Sequence, residues 1–409
     1  MKILHTADWH IGRSLYGQKR YAEFEAFLEW LAKAIVEENI DALLLAGDVF
    51  DNSAPSNRSQ GLYYRFLCKI AGSSCRHVVV TSGNHDSPTF LNAPKELLRS
   101  LNVHVVGTVP ENIEDELIVL EDDEGNAELI VCAVPYLRDR DLRVAESGES
   151  LEDKDKKLVE GIRNHYHTVG DKAEKIKSEL KRDIPIVAMG HLFAAGGKTV
   201  DGDGVRELYI GSLAHVGADI FPACIDYLAL GHLHVPQVLS NNEWMRYSGS
   251  PIPMGFGEAT QEKSVCVVSF TNPSLSIELL KVPVFQKLAK VRGNWDEIFA
   301  SLTELSLSNS DAWVEVVYEG KEAMGDLREL LDEAISETEI KILRVKNKQV
   351  IDRVLNSIEV EETLDDLNVN DVFIRCLDAH EIPEEQRAEL LNAYQETVTT
   401  LQEMDKKAE

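Results

Sequence analysis

Polar side chains follow five apolar runs of this chain, at the points where predicted strands end. Because the carboxyl ends of parallel strands meet at one edge of a sheet, these side chains are expected to converge. All of them are of types that bind metal ions, namely aspartate, asparagine and histidine. The pattern therefore predicts a metal site built from Asp8, His10, Asp48, Asn84, His191, His232 and His234.

The spacing of residues within the five sequence fragments that carry these side chains supports this interpretation. In an extended strand, side chains two residues apart share a face, so Asp8 and His10 point together, as do His232 and His234. Taken singly, each fragment is more often a turn or a packed histidine than a ligand site. Chance does not readily place five such fragments at strand ends, so together they favour metal binding. The fragments are Asp8-Trp9-His10, Gly47-Asp48-Val49-Phe50-Asp51, Gly83-Asn84-His85-Asp86, Gly190-His191 and Gly231-His232-Leu233-His234.

The donor types narrow the choice of metal. Mixed carboxylate, imidazole and amide ligands suit Mn²⁺, Fe²⁺ or Zn²⁺ better than Ca²⁺ or Mg²⁺. Seven ligands are too many for one octahedral ion that keeps open positions, so the sequence predicts two ions about 3.5–4 Å apart. Asp48 is the candidate bridge, because the charge of one carboxylate can serve both ions.

A metal pair of this kind can activate water for attack on a phosphodiester. The leaving alkoxide then needs a proton, and His85, which directly follows Asn84, is the predicted general acid. A carboxylate is expected to orient its imidazole, and either Asp51 or Asp86 can do so.

The elements that position these residues are those of a layered α/β domain over residues 1–282. Apolar runs alternate with amphipathic helices at 21–38 and 56–71, a hairpin is predicted around the acidic turn at 121–126, and a long polar surface helix spans 151–180. Later strands include one at 207–210. Residues 283–350 have the β-α-β-α-β pattern of a small α+β domain, and residues 351–409 form an acidic tail with helices at 371–379 and 383–404. The tail is about as consistent with packing on its own domain as with docking on a partner.

Composition sets further expectations. A net charge of −28 disfavours nucleic-acid binding, unless bound cations or a partner subunit supply positive charge. The six cysteines are scattered without a Cys-x-x-Cys pair, which is typical of reduced thiols. No leader pattern and no apolar run near ~20 residues is visible, so the sequence predicts a soluble cytoplasmic protein.

In this order, the five fragments resemble the motifs of the calcineurin-like metallophosphoesterase superfamily. Their context is similar to the SbcD family of double-strand-break repair nucleases, notably in the stretches at 5–12, 46–51 and 247–253. The resemblance runs the full length of the chain. It implies a four-layer α/β sandwich with a small α+β capping domain and a C-terminal helical tail.

The resemblance also implies an activity and partners. Members of this family act with Mn²⁺ on DNA, as 3′ to 5′ exonucleases on duplexes and as endonucleases on single strands and hairpins, in DNA repair, recombination and replication. They work with an SMC-like ATPase subunit, SbcC, in a heterotetramer around a nuclease dimer, in association with the nucleoid. By resemblance, residues 283–350 contact DNA and residues 351–409 bind the ATPase subunit. Because dimerisation in the family uses helices near the metal domain, the apolar stripe at 62–70 can be either a dimer interface or core.

Residue roles follow from the same resemblance. One ion would be held by Asp8, His10, Asp48 and His234, and the other by Asp48, Asn84, His191 and His232. Asp51 stands where protein phosphatases carry the carboxylate that pairs with the catalytic histidine, so it is expected to orient His85. The loop at 13–20 can track a DNA backbone or can simply be solvated; its candidate contacts are Arg13, Tyr16, Lys19 and Arg20.

Two other functions remain open from the sequence. A metallophosphoesterase of small nucleotides or phosphoproteins would suit the acidic surface, but it leaves the α+β domain and the tail unexplained. A scaffold that kept the fold and lost activity is disfavoured, because the ligand set is complete.

Overall fold

A computed structural model of the chain describes residues 1–142, 150–194, 217–271, 274–320, 324, 326–348 and seven positions between 373 and 394. The predicted strand at 207–210 lies outside the described residues, as do the predicted tail helices apart from those seven positions, which are helical. The chain divides into two units, Met1–Phe285 and Gln286–Glu409.

The first unit contains two six-stranded sheets, a short hairpin and six α-helices among its described residues. In chain order the elements are β1 (Lys2–Thr6), β2 (Ser14–Leu15), β3 (Gln18–Lys19), α1 (Tyr21–Glu37), β4 (Ala42–Ala46), α2 (Asn57–Ala71), β5 (His77–Thr81), α3 (Pro88–Asn92), α4 (Lys95–Arg99), β6 (Val103–Val106), β7 (Leu117–Glu121), β8 (Ala127–Ala133), α5 (Asp139–Leu142), α6 (Leu151–Leu180), β9 (Ile186–His191), β10 (Tyr227–Gly231), β11 (Gln237–Leu239), β12 (Asn242–Tyr247), β13 (Ser264–Thr271) and β14 (Ser274–Lys281).

Each large sheet has a parallel centre. The first has the order β14-β13-β1-β4-β5-β6, and the second has the order β11-β12-β10-β9-β8-β7. Strands β1, β4, β5 and β6 are parallel in the first sheet, and β8, β9, β10 and β12 are parallel in the second. The strands that precede the predicted ligands are therefore neighbours in both sheets.

The alternation of side chains between the two faces of each strand explains how sheets and helices stack in layers. On β4, Leu43 and Leu45 pack with helices α1 and α2, whereas Ala42 and Leu44 face the second sheet. Side chains of a strand alternate between its two faces, so one buried strand can contribute side chains to two hydrophobic cores. Helix α6 covers the outer face of the second sheet. The predicted four-layer sandwich is confirmed.

Two helices show how the amphipathic pattern is used. Helix α6 is polar in composition, yet its residues Leu158, Ile162, Tyr166, Val169 and Ala173 are buried against the second sheet. It is thus a covering helix with one solvated face, not a helix that lies wholly on the surface. In α2, Ser56 caps the helix by accepting a hydrogen bond from the amide of Ser59. The 62–70 stripe lies in the core of the first unit, so the expectation of a dimer interface at this stripe is wrong.

Up to residue 348, the described part of the second unit contains a three-stranded parallel sheet and two helices. Its core joins the sheet to both helices. On the middle strand of this sheet, Glu315 is buried and lies 3.2–3.4 Å from three cations, Lys290, Arg344 and Lys346. The elements are β15 (Leu288–Gly293), α7 (Trp295–Leu307), β16 (Trp313–Tyr318), α8 (Leu327–Ala334) and β17 (Lys341–Asn347).

Within the described residues, no helix combines the length and apolar character needed to cross a membrane. Cys68, Cys75, Cys132, Cys224 and Cys266 are free thiols.

Candidate metal centre

The loops that carry the predicted ligands are tied together by main-chain hydrogen bonds. The amide of Asp8 donates to the carbonyl of Gly47 at 3.1 Å, and the amide of His10 donates to the carbonyl of Asp48 at 3.0 Å. The amide of His232, from the second sheet, donates to both carboxylate oxygens of Asp8 at 2.9 and 3.1 Å. The carboxyl ends of both sheets therefore meet at one place, as the sequence predicts.

Four of the predicted ligands have a strained backbone. Their φ angles are positive, in a region that non-glycine residues adopt at a cost of about 1–3 kcal/mol each. Such strain persists only where the surrounding contacts hold it, and it is concentrated at functional sites. The four are Asp8 (φ 53°), His10 (φ 47°), Asp48 (φ 50°) and His232 (φ 99°).

Glycines precede several of the ligands because the loops approach each other closely. A Cβ atom at Gly83 would collide with the carboxylate of Asp48. One at Gly231 would collide with the carbonyl oxygen of Ala46 and with the ring of His191. The Gly-Asn and Gly-His pairs of the motifs are thus required by the packing of the site.

The first group of ligand atoms surrounds His10. Its Nε2 lies 3.1 Å from Nε2 of His234 and 3.5 Å from Oδ2 of Asp48. Donor atoms of Asp8, His10 and His234 all lie within 4.8 Å of one another. Ring nitrogens that face each other across such a gap can share one cation.

The second group surrounds Asn84. Its Oδ1 lies 3.0 Å from Nε2 of His191 and 3.0 Å from Nδ1 of His232. Oδ2 of Asp48 lies 3.3 Å from Nε2 of His191, in addition to its 3.5 Å separation from His10. Asp48 therefore touches both groups, which is the position that a bridging ligand must have.

The charges of the site fit divalent cations. Asp8 and Asp48 are buried, and neither contacts a lysine or arginine in the part of the chain that the structure describes. Burial raises the pKa of Asp8 to about 6. Burial also opposes ionisation of Asp48, but His191 and His10 outweigh it and hold the pKa of Asp48 well below its ordinary value. Buried carboxylates among imidazoles are the donor set of a metal site, so these residues fit two divalent ions.

His85 lies beside this cluster. Its amide donates to Oδ1 of Asp48 at 2.9 Å, and its ring packs edge-on against His10 with centroids 4.8 Å apart. Its Nδ1–H donates to the main-chain carbonyl of Asp51 at 2.8 Å. A carbonyl can only accept a hydrogen bond, so this bond places the ring proton on Nδ1. Nε2 is then left to exchange a proton with a molecule bound at the site.

The expected role of Asp51 needs a correction. Its main-chain oxygen, and not its carboxylate, holds His85. The carboxylate lies 3.2 Å from the guanidinium of Arg13 and 3.6 Å from Nδ1 of His10. The loop brings the carbonyl to His85 and turns the side chain toward His10, which residue types alone do not reveal.

Asp86 does not orient His85 either. Its buried carboxylate accepts hydrogen bonds from the amides of Val49, Phe50 and Gly83 at 2.9–3.1 Å. It thereby joins the loop after β4 to the loop after β5, and fixes the relative positions of Asp48 and Asn84.

The loop at 13–20 forms the hairpin β2–β3, with Tyr16 at its turn. Tyr16 is 47% exposed and stacks on Phe256, and Lys19 is exposed. Arg20 is only 2% exposed, and its guanidinium donates to both carboxylate oxygens of Glu23 at 2.7 and 2.9 Å. The expectation of a DNA contact at Arg20 is therefore wrong, because this side chain anchors the start of α1.

Two buried residues near the site were not singled out from the sequence. Glu258 and Lys263 lie directly behind His234. Glu258 ends a short 3-10 helix and Lys263 lies just before β13, 24 and 29 positions after His234 in the chain, and no spacing in the sequence links them to the motifs.

Comparisons with known proteins show the family of this chain. The calcineurin-like phosphoesterase family matches residues 1–236, and the type 5 capsule protein repressor C-terminal domain matches residues 284–381. The SbcD subunit of the SbcCD nuclease of Escherichia coli (strain K12) is 34% identical over 405 residues, which cover 98% of each chain. This chain belongs to the SbcD family. Proteins of the same name from Rhodobacter capsulatus and Bacillus subtilis are 37% identical over 316 residues (75% of this chain, 76% of the relative) and 36% identical over 271 residues (66% of each).

Membership of the SbcD family confirms the predicted superfamily and enzyme class. The chain is a metal-dependent nuclease, a hydrolase that acts on phosphodiester bonds. Its buried donor clusters are consistent with divalent metal binding.

Proposed function

We propose that this chain cleaves DNA with two Mn²⁺ ions, as a 3′ to 5′ exonuclease on duplexes and as an endonuclease on single strands and hairpins. The observation that supports this most is the convergence of six donor side chains around Asp48, with His85 directly beside them. The proposal places the protein in the cytoplasm, with the DNA of the nucleoid.

The ligands divide between two positions. Asp8, His10 and His234 would hold one ion, and Asn84, His191 and His232 would hold the other, with Asp48 shared. Bound there, the ions would supply Lewis acidity, which neutralises phosphate charge and promotes the ionisation of water. The protein's own part is to hold these donors in fixed positions, through strained backbone and through the bonds made by Asp8 and Asp86.

His85 would supply the proton that the leaving oxygen needs. The bond from its Nδ1–H to the carbonyl of Asp51 fixes the ring and directs Nε2 away from that carbonyl. A second proton on Nε2 makes the ring an acid, and its transfer to the leaving alkoxide restores the neutral imidazole. The contact of its amide with Asp48 holds this acid next to the metal ligands.

DNA would approach over the β2–β3 hairpin. The exposed ring of Tyr16 can stack on a base, an interaction worth about 1–3 kcal/mol. Lys19 can contact phosphate, and Arg13 lies closer to the metal ligands through its bond to Asp51. Because the whole chain has a net charge of −28, most of the positive surface for DNA must come from elsewhere.

An ATPase subunit of the SbcC type is the proposed source of that surface. The Escherichia coli relative is named as one subunit of a nuclease called SbcCD, a name that implies a second subunit. We assign residues 351–409 to binding this ATPase and residues 283–350 to capping the nuclease domain and contacting DNA. The assembly would be a heterotetramer built around a homodimer of this chain.

Cleavage assays test the proposal. An end-labelled DNA hairpin and a small chromogenic phosphodiester are incubated with the purified chain and Mn²⁺, with and without the ATPase subunit, and in parallel with chelator. We expect metal-dependent cleavage of both substrates, and an ATP-dependent gain on the hairpin alone. Turnover of the small diester without any hairpin cleavage, even with the partner present, would assign the site to small phosphodiesters instead.

A further inference from the structure

A buried ion pair lies directly behind His234. Glu258 is 0% exposed and Lys263 is 4% exposed, and the ammonium of Lys263 donates to Oε2 of Glu258. Burying two charges costs several kcal/mol of desolvation per ion, which only close pairing and further hydrogen bonds offset. A pair placed here at that cost, against one candidate metal ligand, points to a role at the site.

The pair lies against the ring of His234 and is hydrogen-bonded to its main chain. Oε1 of Glu258 lies 3.6 Å from Nδ1 of His234. Lys263 donates to the carbonyl of His234 at 2.9 Å and to Oγ of Ser250 at 3.1 Å. Oε2 of Glu258 also accepts from the amide of Met254 at 3.1 Å. The glutamate is thereby fixed from several sides, with its other oxygen directed at the histidine ring.

The two ring nitrogens of His234 face different partners. Nε2 faces Nε2 of His10 at 3.1 Å, in the first group of ligand atoms. To bind a cation, Nε2 must be unprotonated, so the ring proton must be on Nδ1, which faces Glu258. A carboxylate that accepts this proton fixes the tautomer and makes the imidazole a stronger ligand.

We propose that Glu258, held in place by Lys263, is a positioning residue that orients His234 and strengthens its binding of a metal ion. The proposal rests on the proposed function, in which His234 is a ligand. His191 offers a contrast, because its Nδ1 is bonded to the neutral carbonyl of Ala46 at 3.0 Å. The carboxylate behind His234 should therefore strengthen metal binding at the position that His234 and His10 share.

Calorimetric titration of the metal-free protein with Mn²⁺ tests the role of Glu258. Glu258→Gln keeps the shape of the side chain and removes its charge. We expect the affinity for one of the two ions to fall about 10–100-fold, and the affinity for the second ion to change much less. Glu262→Gln is the matched control, since that side chain is 76% exposed and paired with Lys281 on the surface. Unchanged affinity for both ions in Glu258→Gln would overturn the proposal.

A double-mutant cycle separates positioning from a general structural effect. If Glu258 acts through His234, then Glu258→Gln should not weaken Mn²⁺ binding further in a His234→Ala background. An equal loss in both backgrounds would mean that Glu258 acts by another route, and would overturn the proposal.

A second variant guards against misfolding. Glu258→Gln leaves the charge of Lys263 buried without its carboxylate, which can itself destabilise the fold. Glu258→Gln combined with Lys263→Met removes both charges, and it should keep the melting temperature of the metal-free protein near that of the wild type while still binding one ion more weakly. Normal Mn²⁺ binding by this double variant would contradict the proposal. A wild-type protein that binds no Mn²⁺ would instead overturn the proposed function.

Discussion

Asp48→Ala is expected to lose bound Mn²⁺ and to reduce phosphodiester cleavage to background. One carboxylate oxygen of Asp48 lies 3.5 Å from His10 and 3.3 Å from His191, so its removal weakens both groups of ligands at once. The other oxygen accepts the amide of His85, which would also lose its anchor. The loss should exceed the ~10²–10³-fold that the removal of a single transition-state donor costs.

Elemental analysis of the dialysed protein, together with the rate of diester cleavage, measures this effect. Asp48→Asn is the conservative partner variant, because it keeps the shape and the hydrogen-bond acceptor while losing the charge. Asp123→Ala is the control, since that side chain is 90% exposed on the hairpin turn. An Asp48→Ala protein that retained two ions per chain would rule out a bridging role for Asp48.

His85→Ala is expected to keep its metal and to lose about 10²–10⁴-fold in cleavage of DNA, the range typical of general acid catalysis. The metal content matters here, because donor atoms of His85, His10 and Asp51 also lie within 4.8 Å of one another. Loss of an ion in His85→Ala would therefore identify His85 as a ligand and contradict its role as the acid.

The leaving group offers a second measurement on the same variant. A nitrophenolate leaves without protonation. His85→Ala should therefore reduce the rate of cleavage of the chromogenic diester much less than the rate of cleavage of DNA. His167→Ala, which changes an exposed histidine of α6, should cleave both substrates at the wild-type rate. Equal losses on the two substrates would remove the case for proton donation by His85.

The candidate site was largely predictable from the sequence, for a topological reason. Parallel strands bring their carboxyl ends to one edge, so ligands far apart in sequence, such as Asp8 and His232, meet once their strands are recognised. The alternation of apolar residues along strands such as β4 likewise predicts a strand that is buried on both faces.

Atomic roles were less predictable. A motif gives residue types, but it does not show that His85 bonds to the carbonyl of Asp51 rather than to its carboxylate. The sequence misleads at Arg20, because a basic residue in a loop usually faces solvent, whereas Arg20 is buried. The glutamate three positions later, Glu23, was an available signal, since residues three apart at a helix start are neighbours that can form an ion pair. Glu258 had no such signal, because only the folded chain brings it behind His234.

The central claim is that the chain holds two metal ions on either side of Asp48. Anomalous diffraction from crystals grown with Mn²⁺ tests it most directly. We expect two peaks about 3.5–4 Å apart, with Asp48 between them, one bounded by Asp8, His10 and His234, and the other by Asn84, His191 and His232. A single peak, or ions bound away from Asp48, would contradict the two-metal account.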